Sequence, residues 1–342
     1  MHASAPGKLI LSGEHAVVYG NPALAVAISQ QAFTTITPNP AFAGITLTGS
    51  LLPKEGVFFT HDFLQQQHAA IRQRYAGFLQ HQCSITEVIT QKEQLLIAII
   101  EIALTHCHPA TRPNLTINIA SSIATGAGLG SSAAVILSML LGICATLNKP
   151  LNATKAFDLA LQAENLQHGY SSGLDIRLSL SGGCQWYEQR QLHARTCTPF
   201  PLYLLPTGRP ICSTGECVTA VKPLLDGKTM LLQQFAEVTT AMDNALTHGH
   251  YQGFKAAISQ NQRLLSQLGV TPLPIQALIA DLEAQGDAAK ICGAGAIRGE
   301  TAGYLLVCCE DNPWQKYQHY PWSKLLEPLS INKVGASPLQ PA

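Results

Sequence analysis

The stretch Gly126-Ala-Gly-Leu-Gly-Ser-Ser-Ala-Ala134 decides the fold and the kind of site that this chain builds. Three glycines in five positions allow the backbone to turn sharply and to approach a bulky group closely. The next segment, Ala133 to Leu147, is almost entirely apolar and predicts a buried helix with a serine as its N-cap. A glycine loop that opens onto a helix N-terminus presents free N–H groups and a favourable dipole to an anion. The sequence therefore predicts a phosphate-binding loop, most simply for a nucleotide.

Other kinds of glycine loop fit this segment less well. The only Gly-Lys-Thr begins at Gly227, and Lys222 stands where the first glycine of a Walker loop belongs. Gly128 and Gly130 fit the degenerate dinucleotide fingerprint, but residues 150–157 lack the acidic residue that this fingerprint places about 20 positions on. Taken alone, the segment is also compatible with a glycine-rich turn before a core helix.

A second informative segment lies near the N-terminus and reads Ala5-Pro-Gly-Lys-Leu-Ile-Leu-Ser-Gly-Glu-His-Ala-Val-Val-Tyr-Gly20. Residues 8–11 predict a short strand. Lys8, Glu14 and His15 are three functional side chains within otherwise apolar sequence. A solvated turn explains them equally well if they are considered alone.

A third segment reads Glu164-Asn-Leu-Gln-His-Gly-Tyr-Ser-Ser-Gly-Leu-Asp175. A helix is predicted from Asn152 or Thr154 to His168, and a turn then delivers Asp175. Glu164 and His168 share a helix face because they lie four residues apart. The alternative interpretation is an ordinary surface glutamate and a loop aspartate. For His168 we favour such a structural explanation, because the helix dipole by itself explains a histidine at the C-terminus.

The remaining elements are predicted from hydrophobic periodicity and turn residues. The chain end, 338–342, is expected to be frayed because it is rich in proline. The predicted strands are 110–120, 200–205, 289–292 and 302–309, and the predicted helices are 85–107, two within 230–268, and 273–283.

A fourth segment is the glycine loop Lys290-Ile-Cys-Gly-Ala-Gly-Ala-Ile-Arg-Gly-Glu300. Together with the three segments above, it resembles the GHMP kinases. The phosphate loop is similar to the family's P-x-x-x-G-L-G-S-S-A-A motif, with Ile123 in place of proline. Galactokinases carry Gly-Glu-His-Thr-Asp near the N-terminus, whereas Gly13 to Gly20 resembles the mevalonate kinase branch. The third segment resembles E-x-x-x-H-G-x-P-S-G-x-D, with Ser171 in place of proline, and the fourth departs most from the usual T-G-A-G-G-G-G.

The resemblance implies an α+β, two-domain GHMP-kinase fold. Residues 1–190 would form a ribosomal S5 domain 2-like N-terminal domain that carries the phosphate loop. Residues 191–335 would form a ferredoxin-like C-terminal domain. The implied activity is transfer of the γ-phosphoryl group of ATP, with Mg²⁺, to the 5-hydroxyl of mevalonate.

The resemblance also implies roles for individual residues. Asp175 would act as the base, and the ammonium of Lys8 would stabilise the developing alkoxide. Ser132 and Glu164 would supply oxygen ligands to Mg²⁺, with Ser131 the less favoured serine. The acceptor would be lined by Glu14, His15, Gly295 and Arg298, although Arg298 is equally compatible with a surface position. The phosphates would be held by the loop, which comprises Gly126, Ala127, Gly128, Leu129, Gly130, Ser131 and Ser132.

Composition limits the classes of partner. The 342 residues suffice for two domains, and 21 basic residues balance 21 acidic ones, so neither nucleic acid nor a membrane is an expected partner. No apolar run reaches the length of a membrane span and no signal peptide is recognised, so a cytoplasmic location is expected. Only 12% of residues are charged, against about 25% as usual, which is compatible with a homodimer.

Three alternatives to a mevalonate-type activity follow from the same motifs. Phosphomevalonate kinase or another small-molecule kinase would keep the fold and change the acceptor. A non-catalytic nucleotide-binding relative would keep the fold and lose the base or the lysine. A nicotinamide-dependent oxidoreductase is disfavoured by the missing ribose-binding acid.

Overall fold

The computed structural model of the protein describes residues 1–339. Within them, eight strands form a sheet in the order β12-β1-β2-β5-β3-β4, and β6 pairs with β2 and with β7. All pairs are antiparallel except β3 with β5. The strands are β1 (His2–Ser12), β2 (Ala23–Pro38), β3 (Gly44–Gly49), β4 (Val57–Thr60), β5 (Leu115–Ser121), β6 (Cys184–Glu188), β7 (Gln191–Arg195) and β12 (Ser337–Leu339).

A second, antiparallel sheet of four strands has the order β11-β8-β10-β9. Its strands are β8 (Leu202–Gly208), β9 (Ala288–Ile291), β10 (Gly303–Cys308) and β11 (Glu327–Pro328). The chain leaves the first sheet at Arg195, enters the second at Leu202, and returns to the first with β12. The division into domains 1–190 and 191–335 stays a prediction.

Helices cover both sheets. None of those within residues 1–339 is long and apolar enough to cross a membrane. The α-helices are α1 (His61–Leu79), α2 (Lys92–Cys107), α3 (Ser131–Thr146), α4 (Ala153–His168), α5 (Leu174–Ser181), α6 (Thr214–Leu225), α7 (Thr229–Thr247), α8 (Tyr251–Gln267), α9 (Leu273–Ala284) and α10 (Pro313–Lys316), and short 3₁₀ helices span Ala16–Tyr19, Ile85–Glu87 and Pro321–Leu325.

Helix α3 is the centre of the core, as its apolar sequence predicts. Every residue from Ala133 to Cys144 is buried, because the helix packs on β1 and β2 and is flanked by α2 and α4. Ser138, the polar residue within this run, is satisfied by hydrogen bonds to the hydroxyl of Thr34 at 2.9 Å and the carbonyl of Val135 at 3.2 Å. This packing holds the N-terminus of α3, and therefore the glycine loop before it, in a defined place.

Two predicted helix starts are wrong. The N-cap of α3 is Gly130, in a left-handed conformation with φ 73°, and not a serine. A side chain there would collide with Lys8, so a glycine must end the loop and the serines become the first helical residues. The predicted helix 85–107 is split, because a capping box at Gln91 starts α2 afresh after the 3₁₀ turn at Ile85–Glu87.

The remaining predicted boundaries differ by smaller amounts. Asn152 caps α4 as predicted, since its side chain accepts a hydrogen bond from the N–H of Lys155 at 2.8 Å. The first strand is longer than residues 8–11, because all of β1 pairs with β2. Pro338 and Leu339 are not frayed, since they pair with β1. Residues 340–342 lie outside the described part of the chain.

Candidate active site

The glycine loop before α3 is anchored on β1. Gly126, Gly128 and Gly130 adopt left-handed conformations with φ between 72° and 82°, which side chains rarely tolerate. The N–H of Lys8 donates to the carbonyl of Leu129 at 2.9 Å. A β-carbon on Gly7 would lie 2.7 Å from that carbonyl oxygen. The absence of a side chain at Gly7 therefore allows the loop to approach the strand.

The same loop makes close backbone contacts with the second sheet. A β-carbon on Gly128 would lie 2.7 Å from the carbonyl oxygen of Cys292, and one on Gly303 would lie 2.9 Å from that of Ala127. The loop 126–132 is thus held between β1 on one side and the loop after β9 on the other. Both glycine-rich segments of the sequence are explained by this close contact.

Lys8 and Asp175 form an ion pair beside this loop. The distance from Lys8 Nζ to Asp175 Oδ1 is 3.1 Å, and the side chain of Lys8 is buried whereas that of Asp175 is one-third exposed. Lys8 lies on β1, and Asp175 lies in the first turn of α5, where the helix dipole favours a carboxylate. The structure therefore brings together the two residues with predicted catalytic roles, with the carboxylate open to a small molecule.

Glu164 is a buried carboxylate on α4. Burial and, to a smaller extent, the negative charge of Asp175 raise its pKa to about 7, although Ser171 and Lys8 oppose the rise. The hydroxyl of Ser171 donates a hydrogen bond to Glu164 Oε2 and accepts one from the N–H of Gly173 at 2.9 Å. Ser171, which stands where the family motif has proline, thus ties Glu164 to the turn that delivers Asp175.

Ser132 lies in the first turn of α3, which packs against α4. Its hydroxyl donates to Oε1 of Gln167 at 2.5 Å. Gln167 and Glu164 are three residues apart on α4 and share a face, so Ser132 contacts the face of α4 that carries Glu164. Within residues 1–339, no group of three His, Cys, Asp or Glu side chains is placed to hold a metal ion. His168 ends α4 and is exposed.

Glu14 forms a buried ion pair with Lys290. Both side chains are almost completely buried, and Lys290 Nζ also donates to the carbonyls of Ile291 at 2.9 Å and Ile10 at 3.2 Å. Glu14 Oε2 finds no hydrogen-bond partner among the described residues. The pair joins the end of β1 to β9 and so fixes the two sheets relative to each other at the site.

His15 is held next to Glu14 in a left-handed conformation with φ 60°. Its Nε2 donates to the carbonyl of Ala294 at 3.1 Å. Burial and, to a smaller extent, the charge of Lys290 lower the pKa of His15 to about 4, although the contact with Ala294 opposes this. The imidazole is therefore neutral at physiological pH.

Gly295 and Arg298 lie on the loop that follows Lys290. Gly295 has φ 68°, and a β-carbon on it would lie 2.1 Å from the carbonyl oxygen of Val270. Arg298 is exposed and pairs with Glu216 at 2.7 Å at the start of α6. Of the two interpretations of Arg298, the geometry favours the surface position.

A cavity of about 500 Å³ lies between the Gly13–Gly20 segment and the turn before Asp175. Its volume is in the range of small-molecule sites. Lining residues include Val17, Val18, Tyr170, Ser171 and Arg190. Ser171 connects this cavity to Glu164, so the space adjoins the ion-pair site.

Sequence reasoning assigned no role to four residues that contribute to the site, which are Ser171, Gln167, Lys290 and Arg190. Lys290 gave the clearest signal, because a lysine in the four-residue buried strand Ala288–Ile291 requires a partner. Ser171 was visible only as a departure from a motif. Gln167 and Arg190 carried no distinguishing pattern, since single polar residues on a helix and in a hairpin are common.

A phosphate-type loop, a lysine–carboxylate pair and an adjoining cavity are the parts of a phosphotransferase. Residues 94–183 match the family described as GHMP kinases N terminal domain. The chain is 30% identical to the mevalonate kinase of Bos taurus over 331 residues, covering 85% of this chain and 83% of the relative. This chain belongs to the GHMP kinase family, whose members use ATP, and is a phosphotransferase with an alcohol acceptor.

Two solved structures share the fold. The mevalonate kinase of Methanococcus jannaschii has a TM-score of 0.77 at 20% identity, covering 97% of this chain and 98% of that one. The galactokinase of Lactococcus lactis, complexed with galactose, has a TM-score of 0.73 at 15% identity, covering 99% and 95%. The predicted α+β GHMP-kinase fold is therefore confirmed, and the fold is shared by kinases of different acceptors.

Proposed function

We propose that this kinase transfers the γ-phosphoryl group of ATP to the 5-hydroxyl of mevalonate, giving 5-phosphomevalonate and ADP. The ion pair between Lys8 and Asp175 carries the proposal, because it provides a base and a cation for one oxygen beside the glycine loop. The choice of mevalonate rests on the Gly13–Gly20 segment and on the similarity to a curated mevalonate kinase.

The loop from Gly126 to Ser132 is proposed to hold the ATP phosphates. Its three left-handed glycines and the free N–H groups at the start of α3 form an anion site. Backbone N–H groups contribute no net charge, so the phosphates need cations as well.

The residues present fit a Mg²⁺ ion that takes most of its ligands from phosphates and water and a few from the protein. Glu164 and Asp175 are neighbouring carboxylates that share one lysine, and the pKa of Glu164 is raised by its burial first and by the charge of Asp175 second. Ser132 and Glu164 would hold the ion, which binds oxygen ligands and usually keeps several waters. When bound, Mg²⁺ supplies neutralisation of phosphate charge.

Asp175 and Lys8 are proposed to act on the acceptor hydroxyl together. An alcohol is too weak an acid to lose its proton to an ordinary carboxylate before reaction, so the proton moves to Asp175 as the O–P bond forms. The ammonium of Lys8 stabilises the negative charge that develops on the same oxygen. It also holds Asp175 in place at 3.1 Å.

The acceptor is proposed to enter from the cavity beside Ser171. Glu14 and His15 do not line this cavity. The proposal leaves them the role of supporting the Gly13–Gly20 segment next to it, with little net charge, because Glu14 is paired and His15 is neutral. Arg190 lines the cavity and supplies the positive charge that a carboxylic acid acceptor requires. The absence of a side chain at Gly295 lets the loop after β9 pack against the backbone of Val270. Arg298, paired with Glu216 on the surface, is proposed to lie at the periphery of the site.

The alternatives are weaker on the same observations. Phosphomevalonate carries a phosphate besides its carboxylate, so it would require more than one free cation. Lys8, Lys290 and Arg298 are each paired with a carboxylate. Among the described residues that line the cavity, Arg190 is the one cation. A non-catalytic relative would not need to keep a base and a lysine in contact. An oxidoreductase does not fit a member of a kinase family.

A coupled assay of ADP release with mevalonate, phosphomevalonate, galactose and homoserine tests the proposal. We expect mevalonate to give the highest kcat/KM. Turnover of another alcohol with mevalonate inert would overturn the acceptor assignment and leave the family intact. The product is identified by mass spectrometry, which separates phosphorylation of mevalonate from background ATP hydrolysis.

A further inference from the structure

Arg209 lies beside the first glycine of the phosphate loop. It directly follows β8 in the second sheet, and a β-carbon on Gly126 would lie 3.4 Å from Arg209 Nε and 4.0 Å from Cζ. The guanidinium group therefore rests against the backbone of Gly126. Sequence analysis did not single out this residue.

The backbone of Arg209 is fixed on the second sheet. Its carbonyl accepts a hydrogen bond from the hydroxyl of Thr301 at 2.9 Å. Two positions earlier, the hydroxyl of Thr207 donates to the carbonyl of Gly303 at 2.9 Å, and Gly303 itself packs under Ala127 of the loop. The end of β8 is thus tied to the strand that supports the loop, and the arginine side chain projects from a firm base.

Arg209 supplies the phosphate loop with a positive charge that is not paired with a carboxylate among the described residues. The segment 126–132 contains no lysine or arginine. Lys8 pairs with Asp175 and Lys290 pairs with Glu14. Arg209, in contrast, forms no ion pair with any carboxylate within residues 1–339, and its side chain is exposed.

We infer that Arg209 binds a phosphate oxygen of the nucleotide held by the Gly126–Ser132 loop. A guanidinium presents several fixed N–H donors and keeps its charge at any physiological pH, so it suits a polyphosphate. Arg209 follows β8 of the second sheet, whereas the loop is anchored on β1 of the first sheet. The nucleotide would therefore be contacted from both sheets. The inference rests on the proposed nucleotide role of the loop.

The test is nucleotide affinity measured by calorimetry on wild type, Arg209→Gln and Arg209→Lys. Arg209→Gln should raise the Kd for ATP and ADP by about tenfold, as expected for losing a charge-assisted hydrogen bond. Arg209→Lys should lie between the two, because it keeps the charge and loses the fork geometry. Affinity for adenosine, which has no phosphate, should be unchanged in both variants.

Arg263→Gln is the matched control, since Arg263 is an exposed arginine on α8 that pairs with no carboxylate within the described chain. It should bind ATP like wild type. The dependence of the ATP Kd on salt should weaken in Arg209→Gln and stay normal in the control. Thermal unfolding verifies that all variants are folded.

Three results would overturn the inference in distinguishable ways. If wild type binds ATP tightly and Arg209→Gln binds it equally well, Arg209 does not contact the phosphates and the loop assignment survives. If wild type itself binds ATP no better than adenosine, the nucleotide role of the loop fails and the inference fails with it. An equal loss of adenosine affinity would show a structural effect of the substitution and would also refute a phosphate contact.

Discussion

The ammonium of Lys8 lies 3.1 Å from Oδ1 of Asp175, which joins the first strand of the protein to the fifth α-helix. Lys8 is buried and Asp175 is one-third exposed, so the lysine is fixed while the carboxylate faces the site. Lys8 and Asp175 are 167 positions apart in the sequence, so their contact is visible only in the structure. Their contact makes the pair the first target for mutation.

Asp175→Asn should lower kcat by at least about 10²-fold, the usual loss on removing a general base, with ATP affinity retained. Lys8→Met should also impair turnover. If both residues act on one oxygen, as proposed, the double mutant should be barely worse than the poorer single mutant. Steady-state kinetics with each substrate measures this. Asp281→Asn, an exposed aspartate on α9, should behave like wild type. Fully multiplicative losses would mean that the residues act independently.

Glu164→Gln should raise the Mg²⁺ concentration needed for half-maximal turnover and should slow turnover, because it keeps the shape and removes the charge that serves the ion. The fold should persist, since an amide can still accept the hydrogen bond from Ser171. Titration of activity with Mg²⁺ and calorimetry of Mg²⁺–nucleotide binding measure the effect. Glu55→Gln, in an exposed loop, is the control. Unchanged Mg²⁺ dependence would remove Glu164 from the ion site.

Gly128→Ala should destabilise the protein and weaken ATP binding, because the new β-carbon would lie 2.7 Å from the Cys292 carbonyl oxygen. Gly286→Ala is a close control, since Gly286 has the same φ of 82° with nothing within 4 Å of a β-carbon. The free energy of unfolding of the control should fall by about 1 kcal/mol from backbone strain alone. That of Gly128→Ala should fall clearly further. Denaturant unfolding measures both. Equal losses would mean that the loop is not tightly packed against Cys292.

Stability should depend on pH through His15, whose pKa is lowered from 6.5 to about 4. Folding favours the neutral ring, so this contribution is complete above pH 6.5. It is lost as pH falls towards 4, where the unfolded chain binds the proton more tightly. The loss amounts to on the order of 3 kcal/mol.

His15→Asn tests this dependence, because asparagine tolerates a left-handed backbone and does not titrate. Between pH 7 and pH 4, the variant should lose less unfolding free energy than wild type. His319→Asn, at an exposed position, should keep the wild-type slope. If wild type and His15→Asn show parallel curves, His15 is not buried in the neutral form in solution.

The sequence by itself determined the parts of the site that depend on local rules. Closely spaced glycines before an apolar run required a turn followed by a core helix, and α3 fulfils that requirement because its side chains have no other place to be buried. Asn152 was recognisable as a cap because its side chain serves a donor three residues on. The order and spacing of the motifs were enough to indicate the family.

Only the tertiary structure decided which distant residues meet. Such contacts are those of Glu14 with Lys290, Ser132 with Gln167, and Arg209 with Gly126. The residues of each pair lie on different segments, and the distance between them depends on the path of the chain. Gly130 replaced serine as the cap of α3 because Lys8, from another strand, occupies the space of a side chain. Local patterns carry no information about such contacts, since they arise when two sheets and their connecting loops pack together.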